Sequence, residues 1–230
     1  MKLAVIPARG GSKRIPRKNI KTFGNKPMIG HAIHTAKASG LFDAVIVSTD
    51  DTEIAQTARD LGATTPFMRP ADLADDYTPT VPVIAHAIRA CQKLEWHVEQ
   101  VCCIYPGVPF MHADDLRTAL AVLEDGATYA FPVTPFPSPI QRALRCDASG
   151  TTTPFFPEYA ATRTQDLPPA YHDAGQFYWG RASAWLSGLN IHIHGRTIVL
   201  PHWRVIDIDT SEDWERAELM YRALEQKAPQ

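Results

Sequence analysis

The stretch Leu3-Ala4-Val5-Ile6-Pro7-Ala8-Arg9-Gly10-Gly11-Ser12-Lys13-Arg14-Ile15-Pro16-Arg17-Lys18-Asn19-Ile20-Lys21 runs from a short apolar segment straight into a basic one. Residues 2–6 read as a buried strand that stops at Pro7. The loop behind it holds Arg9, Lys13, Arg14, Arg17, Lys18 and Lys21 and no acid. Gly10 and Gly11 let the backbone approach a ligand and present amide donors. Arginine adds a fork of donors and lysine a point charge. A loop of this kind at the carboxyl end of a strand suits a polyphosphate. Its spacing is neither that of G-x-x-x-x-G-K-[ST] nor that of G-x-G-x-x-G, and composition alone also fits a solvated basic loop.

Outward from this loop the chain alternates. Pro27 precedes Met28, Ile29, Ala32, Ile33 and Ala36, a helical spacing with proline in the first turn. Strands are expected at residues 44–47, 101–105, 129–133 and 204–208. Further helices are expected from a Thr52 cap to Leu61 with Gly62 closing, and over residues 83–94, 116–123 and 211–224. Strand and helix in this rhythm give an α/β fold, a three-layer, mostly parallel sheet covered on both faces, with sites at the carboxyl ends of the strands. Residues 135–169 break the rhythm with seven prolines. They read as an excursion, at about 135–170, from a single domain spanning residues 1–230.

Composition sets bounds. Against 23 Lys+Arg stand 25 Asp+Glu, a net charge of −2, which leaves no global charge to drive binding of nucleic acid or an anionic membrane. Cys91, Cys102, Cys103 and Cys146 form no C-x-x-C pair, and all four read as buried small hydrophobes. The first apolar run is shorter than the ~7–15 residues of a signal-peptide core, and none reaches the ~18–20 of a membrane span. A cytoplasmic protein with reduced thiols is expected.

Near the other end lies Asp207-Ile208-Asp209. On a strand, residues i and i+2 share a face, so both carboxylates would point one way and Ile208 into the core. Two hard oxygen donors suit Mg²⁺, which completes its shell with phosphate oxygens and water. An isolated acid pair of this type also fits simple capping. Thr210 and Asp213 have the spacing of a helix N-terminal cap.

The segment from Ile6 to Lys13, with Pro16 and Lys18-Asn19, resembles the nucleotide-binding signature of cytidylyltransferases that activate nine-carbon acidic sugars, the CMP-sialic acid synthetase group. Val47-Ser48-Thr49-Asp50, Arg69-Pro70 with Leu73 and Asp76, and Ile206-Asp207-Ile208-Asp209-Thr210 continue the likeness in order along nearly the whole chain. The resemblance implies a nucleotide-diphospho-sugar transferase-like (Rossmann-like) fold, Mg²⁺-dependent chemistry, and a homodimer with residues 135–170 as a dimerisation arm. It implies that CTP and an acidic sugar give a CMP-sugar and pyrophosphate, in the service of bacterial surface or flagellar glycosylation.

By the same resemblance, Arg9, Lys13 and Lys18 are the catalytic cations on the triphosphate. Ala8, Gly10, Ser12 and Asn19 complete the nucleotide site, with Arg69 and Thr80 near the cytidine. Asp207 and Asp209 hold the metal. Tyr105-Pro106-Gly107-Val108-Pro109-Phe110 and residues 171–180 look like the branch that activates pseudaminic acid, with Gly107 where that branch more often has Thr. Tyr105, His172, Asp173 and Gln176 are then the candidates to read the sugar. His172 could equally shape a turn. Phe177, Tyr178 and Trp179 read as core, and His192 and His194 as strand neighbours on one face, too few for a zinc site. Sialic and legionaminic acids are the alternative substrates. A glycosyltransferase would carry its D-x-D after a middle strand, and a nucleic-acid module would need more than one basic loop.

Overall fold

The computed structural model describes residues 1–225. Its elements, in chain order, are β1 (Lys2–Pro7), β2 (Thr22–Phe23), β3 (Lys26–Pro27), α1 (Met28–Ser39), β4 (Ala44–Ser48), α2 (Thr52–Asp60), α3 (Thr80–Gln92), β5 (Gln100–Ile104), α4 (Ala113–Glu124), β6 (Tyr129–Pro135), β7 (Leu144–Cys146), β8 (Thr152–Pro154), β9 (Tyr171–Asp173), β10 (Phe177–Arg181), α5 (Ala182–Leu186), α6 (Ile191–His194), β11 (Gly195–Val199) and α7 (Ser211–Glu225).

One sheet, ordered β11-β6-β10-β5-β1-β4, organises them, with β9 paired to the far end of β6. β1 runs parallel to β4 and β5, and β6 parallel to β11, while β10 lies antiparallel between β5 and β6. The sheet is therefore mostly parallel, and the fold is α/β and Rossmann-like. Leu3, Ala4, Val5 and Ile6 are fully buried, because a strand covered on both faces needs apolar side chains at consecutive positions. Their alternate side chains enter two cores. Ala4 and Ile6 meet Ile29, Ile33 and Trp179, whereas Leu3 and Val5 meet Ile84, Ile88 and Trp185.

Several elements differ from expectation. Asp51, not Thr52, caps α2, accepting from Glu53 N and Ile54 N. Residues 204–208 form no strand. The position beside β6 is taken by β11, after which Pro201 and a tight turn at His202–Arg204 carry the chain off the sheet. His192 and His194 stand on the short helix α6 rather than a strand. Residues 171–180 fall in two strands, each antiparallel to β6, with a break at Ala174–Gln176 where Gly175 takes φ +60°. Cys91, Cys102 and Cys103 are buried, but Cys146 is exposed on β7.

Between β6 and β9 the chain leaves the sheet for the proline-rich excursion. Among the described residues its β7–β8 hairpin pairs only with itself, and Leu144 on it and Phe155 just after it are exposed. Among the described residues no helix is long and apolar enough to cross a membrane.

Candidate active site

β1 ends where Ala8 N donates to Ser48 O at 3.0 Å. The basic loop then winds on itself, Lys18 N donating to Ile15 O and Ile20 N to Arg17 O. Arg17 takes φ 55° and turns its guanidinium away, onto Asp51 and Glu53 at the start of α2. Lys21 lies over the Trp214 ring, 4.4 Å from its centroid. Ile15 is buried in a third apolar cluster with Phe23, Met28, Phe110, Ile208, Trp214 and Ala217. That cluster clamps the basic loop to the segment carrying the acid pair, joining the two ends of the chain by burial of apolar surface.

A cavity of about 570 Å³ opens at this junction. Arg9, Lys13, Arg14 and Lys18 line it, as do Asp207, Asp209, Ser12 and Asn19; Tyr105, His172 and Asp173 complete the wall. The cations are internally neutralised. Arg9 lies 2.7 Å from Asp76, which also receives Lys13. Asp209 takes Arg14 at 2.6 Å and Lys18 at 3.4 Å. The hydrogen bond from Lys13, with the nearby positive charges, holds the Asp76 carboxyl below the usual range. Asp207 remains open to solvent, yet the protein atoms crowding it and then the charge of Asp209 push its carboxyl up. A carboxylate disfavoured in this way gains from a nearby cation.

The segment bearing the acid pair is held although it lies outside the sheet. Arg204 pairs with Asp115 through two hydrogen bonds of 2.6 and 3.0 Å, both side chains about nine-tenths buried. Its carbonyl accepts from Gln176 Nε2 at 2.9 Å. Thr210 and Asp213 then form the expected reciprocal cap, each side chain accepting from the other's backbone N–H. Ile208 is buried while Asp207 and Asp209 line the cavity, so the alternation argued from a strand survives without one.

Not every expected site residue reaches the cavity wall. Ala8 is fully buried. Gly10 donates its amide to Asp50 at 3.0 Å rather than presenting it, and a Cβ there would meet Asp51 Oδ2 at 2.7 Å. Arg69 is buried, its Nε donating to Ser48 Oγ at 3.2 Å; burial lowers its pKa. Thr80 starts α3, 2.6 Å from the Tyr105 hydroxyl, and burial pushes that phenol up to about 12. Gln176 is buried under the wall. Asn19 lines the wall, but its Nδ2 donates to Arg9 O at 2.9 Å and so shapes the loop. Arg14 joins the site without having been singled out. Its place among the six basic residues of the loop hid it, since only the contact with Asp209 sets it apart.

Among the described residues no group of three or more His, Cys, Asp or Glu could hold a metal ion. Two carboxylates beside a cationic cavity fit a different kind of ion, one that takes its remaining ligands from phosphate and water. The raised Asp207 carboxyl agrees with that donor set.

A family model described as cytidylyltransferase matches residues 3–185. The chain is 41% identical over 228 residues to the pseudaminic acid cytidylyltransferase of Campylobacter jejuni serotype O:2, covering 98% of each. It is 30% identical over 224 residues to the CMP-N,N'-diacetyllegionaminic acid synthase of Legionella pneumophila, covering 94% of each. Among solved structures it is similar in fold to a CMP:2-keto-3-deoxy-manno-octonic acid synthetase complexed with CTP, with a TM-score of 0.72 at 18% identity over 97% of this chain and 99% of that one.

Proposed function

Because the chain belongs to the cytidylyltransferase family, we propose that it activates pseudaminic acid, converting CTP and the free sugar to CMP-pseudaminic acid and pyrophosphate. The identity of 41% along nearly the whole chain supports that substrate over legionaminic acid, for which the relative stands at 30%. The observation that carries the chemistry is the cavity in which residues 9–18 meet Asp207 and Asp209.

Arg9, Lys13, Arg14 and Lys18 bind and orient the triphosphate, trading their bonds to Asp76 and Asp209 for phosphate oxygens. The anomeric hydroxyl of the sugar then attacks the α-phosphorus in line, the new O–P bond forming as the bond to pyrophosphate breaks and the hydroxyl proton passes to water. Such transfers depend on positioning and charge neutralisation rather than on a covalent protein intermediate. Asp207 and Asp209 are the residues that would hold Mg²⁺, which when bound neutralises phosphate charge. Asp173, Tyr105 and His172 face the sugar. Arg69 and Thr80 act from behind the wall, Arg69 by bracing the end of β4 and Thr80 by fixing the Tyr105 hydroxyl.

The protein works in the cytoplasm, where CTP is made, and supplies a glycan such as that of flagella. It pairs with a second copy through the 135–170 excursion, whose exposed Phe136, Leu144 and Phe155 would otherwise face water. Light scattering at micromolar concentration is expected to give twice the chain mass; a monomer overturns the pairing. A panel of pseudaminic, legionaminic and sialic acids with CTP and Mg²⁺, scored by pyrophosphate release and mass of the product, tests the activity. Faster turnover of sialic than of pseudaminic acid overturns the substrate.

A further inference from the structure

Asp173 lines the cavity from the end of β9, and protein donors from three places already hold its carboxylate. Oδ1 accepts from Gly175 N at 2.7 Å. Oδ2 accepts from the Tyr178 hydroxyl at 2.9 Å and lies 2.6 Å from His192 Nε2. A carboxylate has about four lone-pair sites, so three are committed within the protein and one is left for the cavity. Neither Tyr178 nor His192 lines that cavity.

Both holding groups are themselves fixed. The Tyr178 ring is buried and meets Tyr105 and Phe131 at centroid distances of 5.5 and 5.9 Å. Burial keeps its phenol protonated, well above the ordinary range, so its hydroxyl stays a donor. His192 stands edge-on to Phe131 at 5.3 Å, brought there by α6, whose cap is Asn190 accepting from Ile193 N. Asp173 is only 25% exposed although its histidine partner is 60% exposed. An anion in this wall repels a triphosphate and attracts the hydroxyl and amide N–H donors of a sugar.

We propose that His192, together with Tyr178, is a positioning residue for the second substrate: it touches no ligand but aims the Asp173 carboxylate at a donor of the acidic sugar. This rests on the reading of the cavity as a cytidylyltransferase site for such a sugar. Without that role, a histidine–aspartate contact this open to solvent contributes little.

The test is steady-state kinetics of the full chain with the sugar and CTP varied separately, on His192→Ala, His192→Gln and Tyr178→Phe. In H192A, KM for pseudaminic acid is expected to rise about tenfold, the scale of one lost hydrogen bond to a charged group, with KM for CTP unchanged. H192Q, whose amide N–H reaches the same oxygen, recovers most of the loss. Y178F gives the same selective rise and serves if H192A does not fold. A wild-type KM for the sugar in both H192A and Y178F, or an equal rise in both KM values, overturns the inference while leaving the function intact. A wild-type protein that releases no pyrophosphate with any nine-carbon acidic sugar overturns both.

Discussion

Arg14 Nη2 donates to Asp209 Oδ2 at 2.6 Å, a contact across 195 positions of sequence. Lys18 sits 3.4 Å from the other oxygen. The basic loop and Asp209 therefore neutralise each other. Binding a triphosphate exchanges one set of charge pairs for another rather than creating charge pairs from free ions, which limits the desolvation cost.

Removal of Arg14 frees one Asp209 oxygen. For Arg14→Gln we expect the nucleotide-free protein to bind Mn²⁺ several-fold more tightly in a calorimetric titration, because one competing cation is gone. The same variant should bind CTP more weakly. Unchanged Mn²⁺ affinity would mean that the carboxylates are not a cation site.

Lys18 and Asp209 are expected to be indispensable to turnover. Lys18→Ala should lower kcat/KM by roughly 10²-fold or more, the scale for losing one preorganised group at developing charge, with weaker CTP binding. Asp209→Ala should lose comparable activity at saturating Mg²⁺. Near wild-type rates of pyrophosphate release in either variant would remove that residue from the site.

The Asp115–Arg204 pair secures the segment that carries the acids. Asp115→Asn leaves a buried guanidinium without its counter-charge, at a cost of about 3 kcal/mol. Urea unfolding followed by circular dichroism should show that loss. KM for the nucleotide should rise as well, since residues 205–209 lose their anchor.

Asp51 links stability to pH. Its carboxyl lies below the ordinary 3.8, chiefly through the hydrogen bond from Arg17, with the Ile54 and Glu53 amides also favouring the charged form. A depressed carboxylate adds stability that is fully present above the unfolded value and is lost as pH falls through the folded one. Asp51→Asn keeps the helix cap and removes the charge. At pH 7 it should destabilise by no more than about 1 kcal/mol, because Arg17 is partly exposed. The gap from wild type should close as the pH falls below 3.8. A gap independent of pH in thermal melts at pH 7 and pH 2.5 would contradict this account.

The helices and central strands were legible because their signals are local. Four consecutive apolar residues before Pro7 mark a strand covered on both faces, and the spacing from Met28 to Ala36 marks a helix. The local signal misleads at 204–208 and is too weak to mark a strand at 195–199. Arg196 and Thr197 in β11 lie on opposite faces and both are exposed, so this edge strand carries a weak pattern, whereas Ile206 and Ile208 mimic a strand while packing outside the sheet with Phe23, Phe110 and Trp214. At His192 and His194 the ambiguity is different: alternation in four residues does not distinguish a strand from one turn of helix. Cys146 lies on a hairpin whose two strands form a sheet of their own, so composition could not foretell its exposure.

By itself the sequence determined which groups the chemistry would use. A basic loop after the first strand, an acid pair near the other end, and the alternation that buries Ile208 between two carboxylates are properties of short windows and of backbone geometry. Only the tertiary structure decided which of those groups share a space. Long-range burial of Ile15 with Ile208 and Trp214 set Arg14 against Asp209, while separate tertiary contacts turned Arg17 away to Asp51, kept Arg69 behind the wall on Ser48, and brought His192 to Asp173 beside Phe131. The first of these outcomes joins segments 195 residues apart and the others join different elements of the fold, which no local pattern encodes.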